Sequence, residues 1–159
     1  MADEEDKIDY SKILEQQIVK LEKDLDNEVK HWDIIVNKLT AGIRGNIKEL
    51  PDVESEVVNY KQLVDADIRK YALMMYKDVS ALKPLKKKRF IYYSTSFQIK
   101  LKNSSDIKGL IESDISKFQY KIDLFEAHIG FLRDTSSNLK TLTYSYKSRI
   151  DLLNILGMD

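Results

Sequence analysis

Residues 107–132 read IKGLIESDISKFQYKIDLFEAHIGFL, and this stretch decides the fold class. Apolar side chains in it recur three or four residues apart, which is the spacing at which one face of an α-helix repeats. A continuous helix of about 47 residues in this register, at ~1.5 Å per residue, would be about 70 Å long. The stripe consists of Ile107, Ile111, Ile115, Phe118, Ile122, Phe125, Ile129 and Leu132, and its register continues through Leu139, Tyr146, Ile150 and Leu153.

One polar interruption lies inside this pattern, where residues 134–138 read DTSSN. These residue types are weak helix formers and common in turns. The sequence therefore allows either one long helix or two antiparallel helices joined at this point.

Two further helical patterns precede the stripe. Pro51 suits the first turn of the second helix, which keeps the helical period as far as Leu82. Pro84 lacks an N–H and clashes with the preceding turn, so it predicts a kink or a stop. The first pattern is typical of a coiled-coil seam, and we predict that its helix ends near Gly42. Its apolar residues are Leu14, Ile18, Leu21, Leu25, Val29, Trp32, Val36 and Leu39.

The remaining segment between the helices has a different period. Phe97, Ile99 and Leu101 alternate with polar residues, which predicts a short extended segment near residues 97–102. Five Gly and two Pro in the whole chain leave few turns for a β-sandwich or a barrel. We therefore predict an all-α protein in three parts: an N-terminal coiled-coil helix at 1–45, a helix with a basic, aromatic segment at 46–105, and C-terminal oligomerisation helices at 106–159.

The apolar stripe also predicts self-association. A stripe built on Ile and Phe is difficult to cover within one narrow protomer, and an uncovered stripe would leave a large apolar patch in water. We therefore expect elongated helices from several copies to form a coiled-coil-like oligomer through the stripe at 107–132.

Composition excludes several classes of protein. The chain has 159 residues, the size of one domain, and its 26 basic residues balance 26 acidic ones. It has no Cys for a disulfide framework, its first residues are acidic rather than those of a signal peptide, and no apolar run approaches the ~20 residues of a membrane span. We expect a cytoplasmic protein.

Residues for catalysis are not recognisable in this sequence. It contains no glycine-rich phosphate loop, nucleophile elbow or metal-ligand spacing. His31 and His128 lie far apart, and His128 is interpreted as a flanking surface or interface residue. Glu112 and Asp114, two apart on a helix, are interpreted as solvated charges. We expect a protein that is not an enzyme and needs no metal or cofactor.

The strongest functional signal is residues 85–94, which read LKKKRFIYYS. Lys and Arg neutralise phosphates, and bases of any sequence stack on aromatic rings, so Tyr92 and Tyr93 beside this charge indicate binding of single-stranded nucleic acid. The alternative, without a binding function, is that the basic side chains form an ordinary solvated face and that the tyrosines belong to the core. No acid occurs between Asp78 and Asp106, and the candidate basic contacts in that span are Lys83, Lys86, Lys87, Lys88, Arg89, Lys100 and Lys102.

Two stretches together resemble a known family. Residues 87–94 read KKRFIYYS, similar to the basic-x-Arg-x-x-Tyr-Tyr-Ser/Thr segment of UvsY-type recombination mediators of T-even-like phages. The second stretch resembles the C-terminal helical pattern of that family, and the two cover roughly residues 53–155. Its matching residues are Ile111, Glu112, Ser113, Asp114, Lys121, Ile122, Glu126, Ile129, Phe131, Leu132 and Asp134.

This resemblance implies a function. Members of that family bind single-stranded DNA, form closed rings and help to load a RecA-like recombinase onto strands covered by single-strand-binding protein. Lys87 and Arg89 match the DNA-contacting basic pair of the family, and its setting is the cytoplasm of a phage-infected bacterial host. The main rival is a structural coiled-coil adaptor that does not bind nucleic acid. A peripheral membrane protein is a weaker interpretation, because the basic segment has no long apolar helical face.

Overall fold

A computed structural model describes residues 2–95 and 104–157, with side chains described from residue 12 onward. The described residues form α1 (Ala2–Gly42), a single 3-10 turn (Ile47–Glu49), α2 (Leu50–Thr95) and α3 (Ser104–Ile155). The prediction of an all-α chain is confirmed. The predicted extended segment near 97–102 lies outside the described residues. None of the helices in the described part of the chain combines the length and apolarity needed to cross a membrane.

The first helix ends at Gly42, as predicted, at a point of close approach. A Cβ added to Gly42 would lie 2.6 Å from the hydroxyl oxygen of Tyr146. That hydroxyl donates a hydrogen bond of 2.6 Å to the carbonyl of Leu39. Glycine therefore leaves room for a buried tyrosine to satisfy a carbonyl in the last turn of α1.

The second helix begins next to the proline that predicted it. The Asn46 side chain caps the 3-10 turn by accepting a hydrogen bond from the Lys48 N–H at 3.2 Å. α2 then starts at Leu50, with Pro51 in its first turn. There the missing N–H of proline costs the helix nothing.

Of the kink or stop predicted at Pro84, the stop is wrong, because α2 continues through it to Thr95. The hydrogen bond that proline removes would reach the carbonyl of Ser80, and Ser80 is exposed, so water can satisfy that carbonyl. Leu82 and Leu85, on either side, are partly buried, and Leu82 packs against a core cluster. Packing on both sides of the proline therefore outweighs the loss of one helical hydrogen bond.

The third helix is continuous through residues 134–138, so of the two alternatives left by the sequence the single helix is confirmed. The buried Thr135 donates its hydroxyl to the Phe131 carbonyl at 3.0 Å. Ser136 donates to Asp65 Oδ1 of α2 at 2.6 Å. These polar side chains therefore bond to the helix itself and to its neighbour instead of forming a turn.

The chain packs as two compact units, and each unit is built from parts of all three helices. Unit 1 contains the described residues up to Glu22 together with Ala72–Glu126. Unit 2 contains Lys23–Tyr71 together with the described residues from Ala127 onward. The three segments predicted from the sequence end near the helix junctions, and each of them contributes to both units.

Each unit has a core at the predicted helical spacing. In unit 1 the buried apolar residues are Leu14, Ile18, Ile115, Phe118, Ile122 and Phe125, with Met75, Leu82 and Leu124 packed against four of them. In unit 2 they are Leu25, Trp32, Ile35, Leu39, Leu50, Val57, Val64, Tyr71, Ile129, Leu132, Leu139, Leu142 and Tyr146.

The stripe predicted to hold copies together is largely covered within one chain. The premise that a single protomer cannot cover it is wrong, because Leu14 and Ile18 of α1 form a cluster with Phe118 and Ile122. Self-association itself stays a prediction. Of the eight stripe residues, Ile107 and Ile111 are half-buried, and Ile115, Phe118, Ile122, Phe125, Ile129 and Leu132 are buried.

Candidate nucleic-acid interface

The basic segment, residues 83–93, is helical and forms the last turns of α2 in unit 1. Four lysines lie on exposed positions of that helix: Lys83, Lys86, Lys87 and Lys88. Among the described residues, no carboxylate is paired with the ammonium group of any of them, so their charge is available to an external anion. Lys100 and Lys102, the other predicted basic contacts, lie outside the described residues.

Arg89 and Tyr93 are placed differently, because both contact Asp114 of α3. Arg89 Nε lies 3.5 Å from Asp114 Oδ2. The Tyr93 hydroxyl donates a hydrogen bond of 2.6 Å to the same oxygen. Burial and this hydrogen bond raise the pKa of Tyr93 to about 12, so its phenol stays protonated. Asp114 is therefore more than the solvated charge that its spacing predicted, and these three residues connect α2 to α3.

The aromatic side chains of the basic segment also differ from one another: Tyr93 contacts Asp114, whereas Phe90 and Tyr92 are exposed. Tyr92 is exposed, and its ring makes an edge contact with the Tyr93 ring at a centroid distance of 5.2 Å. Phe90 is 52% exposed, and the sequence pattern did not single it out as a binding residue. Its spacing could have found it, because Phe90 follows Lys86 by four residues and Lys87 by three, so the three share one helix face. The exposed rings of the segment are therefore Phe90 and Tyr92.

The titratable cluster that the sequence missed lies in unit 2. His128 was predicted at a surface or an interface, but it is buried at 4% exposure. Its Nε2 lies 2.8 Å from Glu28 Oε2, and the Tyr71 hydroxyl donates to that same oxygen at 2.6 Å. Burial and the hydrogen bond to Glu28 raise the pKa of Tyr71. This cluster satisfies buried polar atoms, and in the described part of the chain no group of three His, Asp or Glu side chains could hold a metal ion.

Scans of this chain against protein-family models, curated protein sequences and solved structures find no match. The resemblance to recombination mediators therefore rests on its two sequence stretches. The structural basis for a binding site is the exposed lysine cluster of α2 together with the exposed rings of Phe90 and Tyr92.

Proposed function

We propose that this protein binds single-stranded DNA through the exposed face of the basic segment. The observation that carries the proposal is the set of four exposed lysines, at positions 83 and 86–88, next to the exposed rings of Phe90 and Tyr92. Cationic groups neutralise the phosphates of a strand, while stacking on a ring tolerates any base. Binding of this kind is sensitive to salt and nearly independent of sequence.

Arg89 and Tyr93 have a second role in this proposal. Since both contact Asp114, they hold the end of α2 against α3 and keep the lysines on a rigid helix. Arg89 also adds positive charge beside the lysines, although Asp114 offsets part of it. The direct contacts to phosphate thus come mainly from Lys83, Lys86, Lys87 and Lys88.

The cellular role that we propose follows from the sequence resemblance. A protein that holds single strands in this way would act as a recombination mediator, which helps to load a RecA-like recombinase onto strands covered by single-strand-binding protein in the cytoplasm of a phage-infected bacterial host. Filament assembly by such a recombinase on covered strands, with and without this protein, tests the role. An unchanged assembly rate would contradict it.

We also propose that the protein is a homo-oligomer, in the ring form that the resemblance implies. Support from the structure is an apolar surface at the end of α3, where Leu152, Ile155 and Leu156 are exposed. A substitution in the predicted stripe, such as Ile122→Asp, would not test the oligomer, because Ile122 is in the core of unit 1 and the change would unfold that core. Light scattering coupled to size exclusion should instead show dissociation for Leu152→Glu combined with Ile155→Glu. A monomeric parent chain would exclude the oligomer.

Fluorescence anisotropy with short labelled oligonucleotides tests the binding proposal directly. Lys86→Ala, Lys87→Ala and Lys88→Ala together should weaken binding, and should reduce the slope of log affinity against log salt by up to about 2, at roughly 0.7 for each phosphate that is no longer neutralised. A matched control removes three exposed lysines of α1, at positions 20, 23 and 38, and should bind like the parent. Equal weakening in both triple variants, or no binding by the parent, would contradict the proposal; the second result would favour the structural adaptor.

A further inference from the structure

An open groove of about 530 Å³ lies between the end of α2 and the start of α3, within unit 1. Pockets that hold small organic ligands in proteins have volumes of roughly 300–1,000 Å³. The apolar part of its lining comes from Phe90 of α2 and from Ile107 and Ile111 of α3. The basic part of its lining consists of Lys86, Lys87 and Lys108.

Charge in the groove favours an anion. Three ammonium groups line it against one carboxylate, that of Glu112. Glu112 Oε1 lies 3.8 Å from Lys108 Nζ, and both side chains are exposed, so this ion pair is weak and can rearrange around a ligand. An occupant with a flat apolar face and an adjacent negative charge fits this combination, and a nucleotide of a single strand has both.

The groove is continuous with the proposed binding face. Lys83, Lys87 and Phe90 follow one another at spacings of four and three, so they lie along one face of α2. A strand whose phosphates follow these lysines reaches the groove at Phe90. There the exposed ring offers the stacking surface that Tyr93, held by Asp114, offers less freely.

We infer that one base of the bound strand enters this groove and stacks on Phe90, while Lys86, Lys87 and Lys108 contact the neighbouring phosphates. This inference rests on the proposed function and extends the site from α2 to α3. It assigns roles to Phe90 and Lys108, which the sequence pattern left out. It also makes Glu112 a residue that opposes binding, because its carboxylate repels the strand.

Three substitutions test the groove with labelled oligonucleotides. Phe90→Leu keeps apolar bulk but removes the ring, so affinity should fall roughly 5- to 150-fold, the equivalent of one stacked base, with an unchanged salt slope. Lys108→Ala should weaken binding and reduce the slope by about 0.7. Glu112→Gln should strengthen binding, whereas Glu126→Gln, an exposed acid 14 residues further along α3 and beyond the ~10 Å screening length at 0.1 M salt, should not.

Phe90→Trp supplies a direct signal of stacking. The only natural tryptophan, Trp32, is buried in unit 2, so the new indole would report on the groove. We expect oligonucleotide to quench the tryptophan fluorescence of this variant strongly and that of the parent only slightly. Tyr144→Leu, which removes an exposed ring from unit 2, is the matched control for Phe90→Leu and should bind like the parent.

The outcomes separate the two proposals. If the Lys86, Lys87, Lys88 triple variant loses affinity while Phe90→Leu and Lys108→Ala bind like the parent, the groove inference is wrong and the proposed function stands. An unquenched Phe90→Trp that binds normally leads to the same conclusion. If the parent binds no oligonucleotide, the proposed function is wrong and the groove inference falls with it.

Discussion

Unit 1 and unit 2 use the same three helices but bury their side chains to different extents. In unit 2, Val57, Val64, Leu132, Leu139 and Tyr146 have no exposed surface at all. Four of the core residues in unit 1 form a cluster in which exposure ranges from 5% to 8%. Truncating a fully enclosed side chain leaves a cavity that its neighbours fill only in part, so substitutions at these positions of unit 2 are expected to be the most destabilising.

The polar contacts that α1 makes with the other two helices differ in the same direction. In unit 2, His128 and Tyr71 share the Glu28 carboxylate in a largely buried setting. In unit 1, Lys117 contacts Glu15 and Tyr120 contacts Glu22 at exposed positions, where water competes for the same groups and screens their charges. The exposed lysines and rings of the proposed binding face therefore lie in unit 1, while the buried polar contacts of α1 lie in unit 2.

The largest effect is expected from opening a cavity in unit 2. Leu139→Ala should lower the free energy of unfolding by about 2–5 kcal/mol, because Leu139 is fully enclosed and its cavity cannot fill with water at low cost. Leu14→Ala in unit 1 makes the same chemical change at a less enclosed position and should cost less. Urea unfolding of both variants measures the difference. A larger destabilisation by Leu14→Ala would break the comparison.

Glu28→Leu should have the next largest effect. The substitution removes the acceptor that His128 and Tyr71 share, and a buried polar group that loses its partner costs about 1–3 kcal/mol. Glu15→Leu, which removes the partner of Lys117 in unit 1, is the matched control and should change stability by less than about 0.5 kcal/mol. Equal destabilisation by the two variants would mean that the buried cluster adds no more than a surface ion pair.

Helical periodicity predicted which helix faces are apolar, because burial on a packed helix repeats every three to four residues, but it assigned the stripe of α3 to contacts between copies instead of to the core of one chain. Leu14, Leu25 and Leu139 belong to the apolar faces predicted in this way, and all three are buried. The period could not find His128, since its polarity excluded it from the apolar stripe and its partner Glu28 lies 100 residues away. The stop at Pro84, one of the two outcomes predicted there, is wrong because the local cost of proline does not include the packing of the residues around it.

The candidate site was predictable in composition but not in arrangement. The lysine cluster at 86–88 is evident from the sequence, and its exposure agrees with a role in binding. That Tyr93 donates to Asp114, 21 residues away, depends on how α2 and α3 pack. The groove depends on the same packing, because Ile107, Ile111 and Phe90 line one groove only in the folded chain.

The smallest effect is expected at two carboxylates of α2 in unit 2, Asp65 and Asp67, whose pKa values are shifted in opposite directions. Burial raises the pKa of Asp67 above its ordinary value of 3.8, and the negative charge of Glu28 adds to the effect. Burial also acts on Asp65, but hydrogen bonds from Lys61 and Ser136 outweigh it and lower the pKa of that group. The first group therefore opposes folding when ionised, while the second favours it.

The signs follow from proton linkage. Folded Asp67 holds its proton more tightly than the unfolded chain does, so stability falls as pH rises from 3.8 through the raised pKa and falls no further above it. Asp67→Asn should therefore increase stability at pH 7, and the gain should disappear below pH 3.8.

Asp65 contributes stability that is present above pH 3.8 and lost as pH falls through its lowered pKa. Asp65→Asn should thus destabilise the protein at pH 7, by less than about 1 kcal/mol because the side chain is one-third exposed. Urea midpoints of both variants at pH 7 and at acid pH measure these effects. If both variants are more stable than the parent at pH 7, burial alone, and not the partners of each carboxylate, decides the cost of a charge in unit 2.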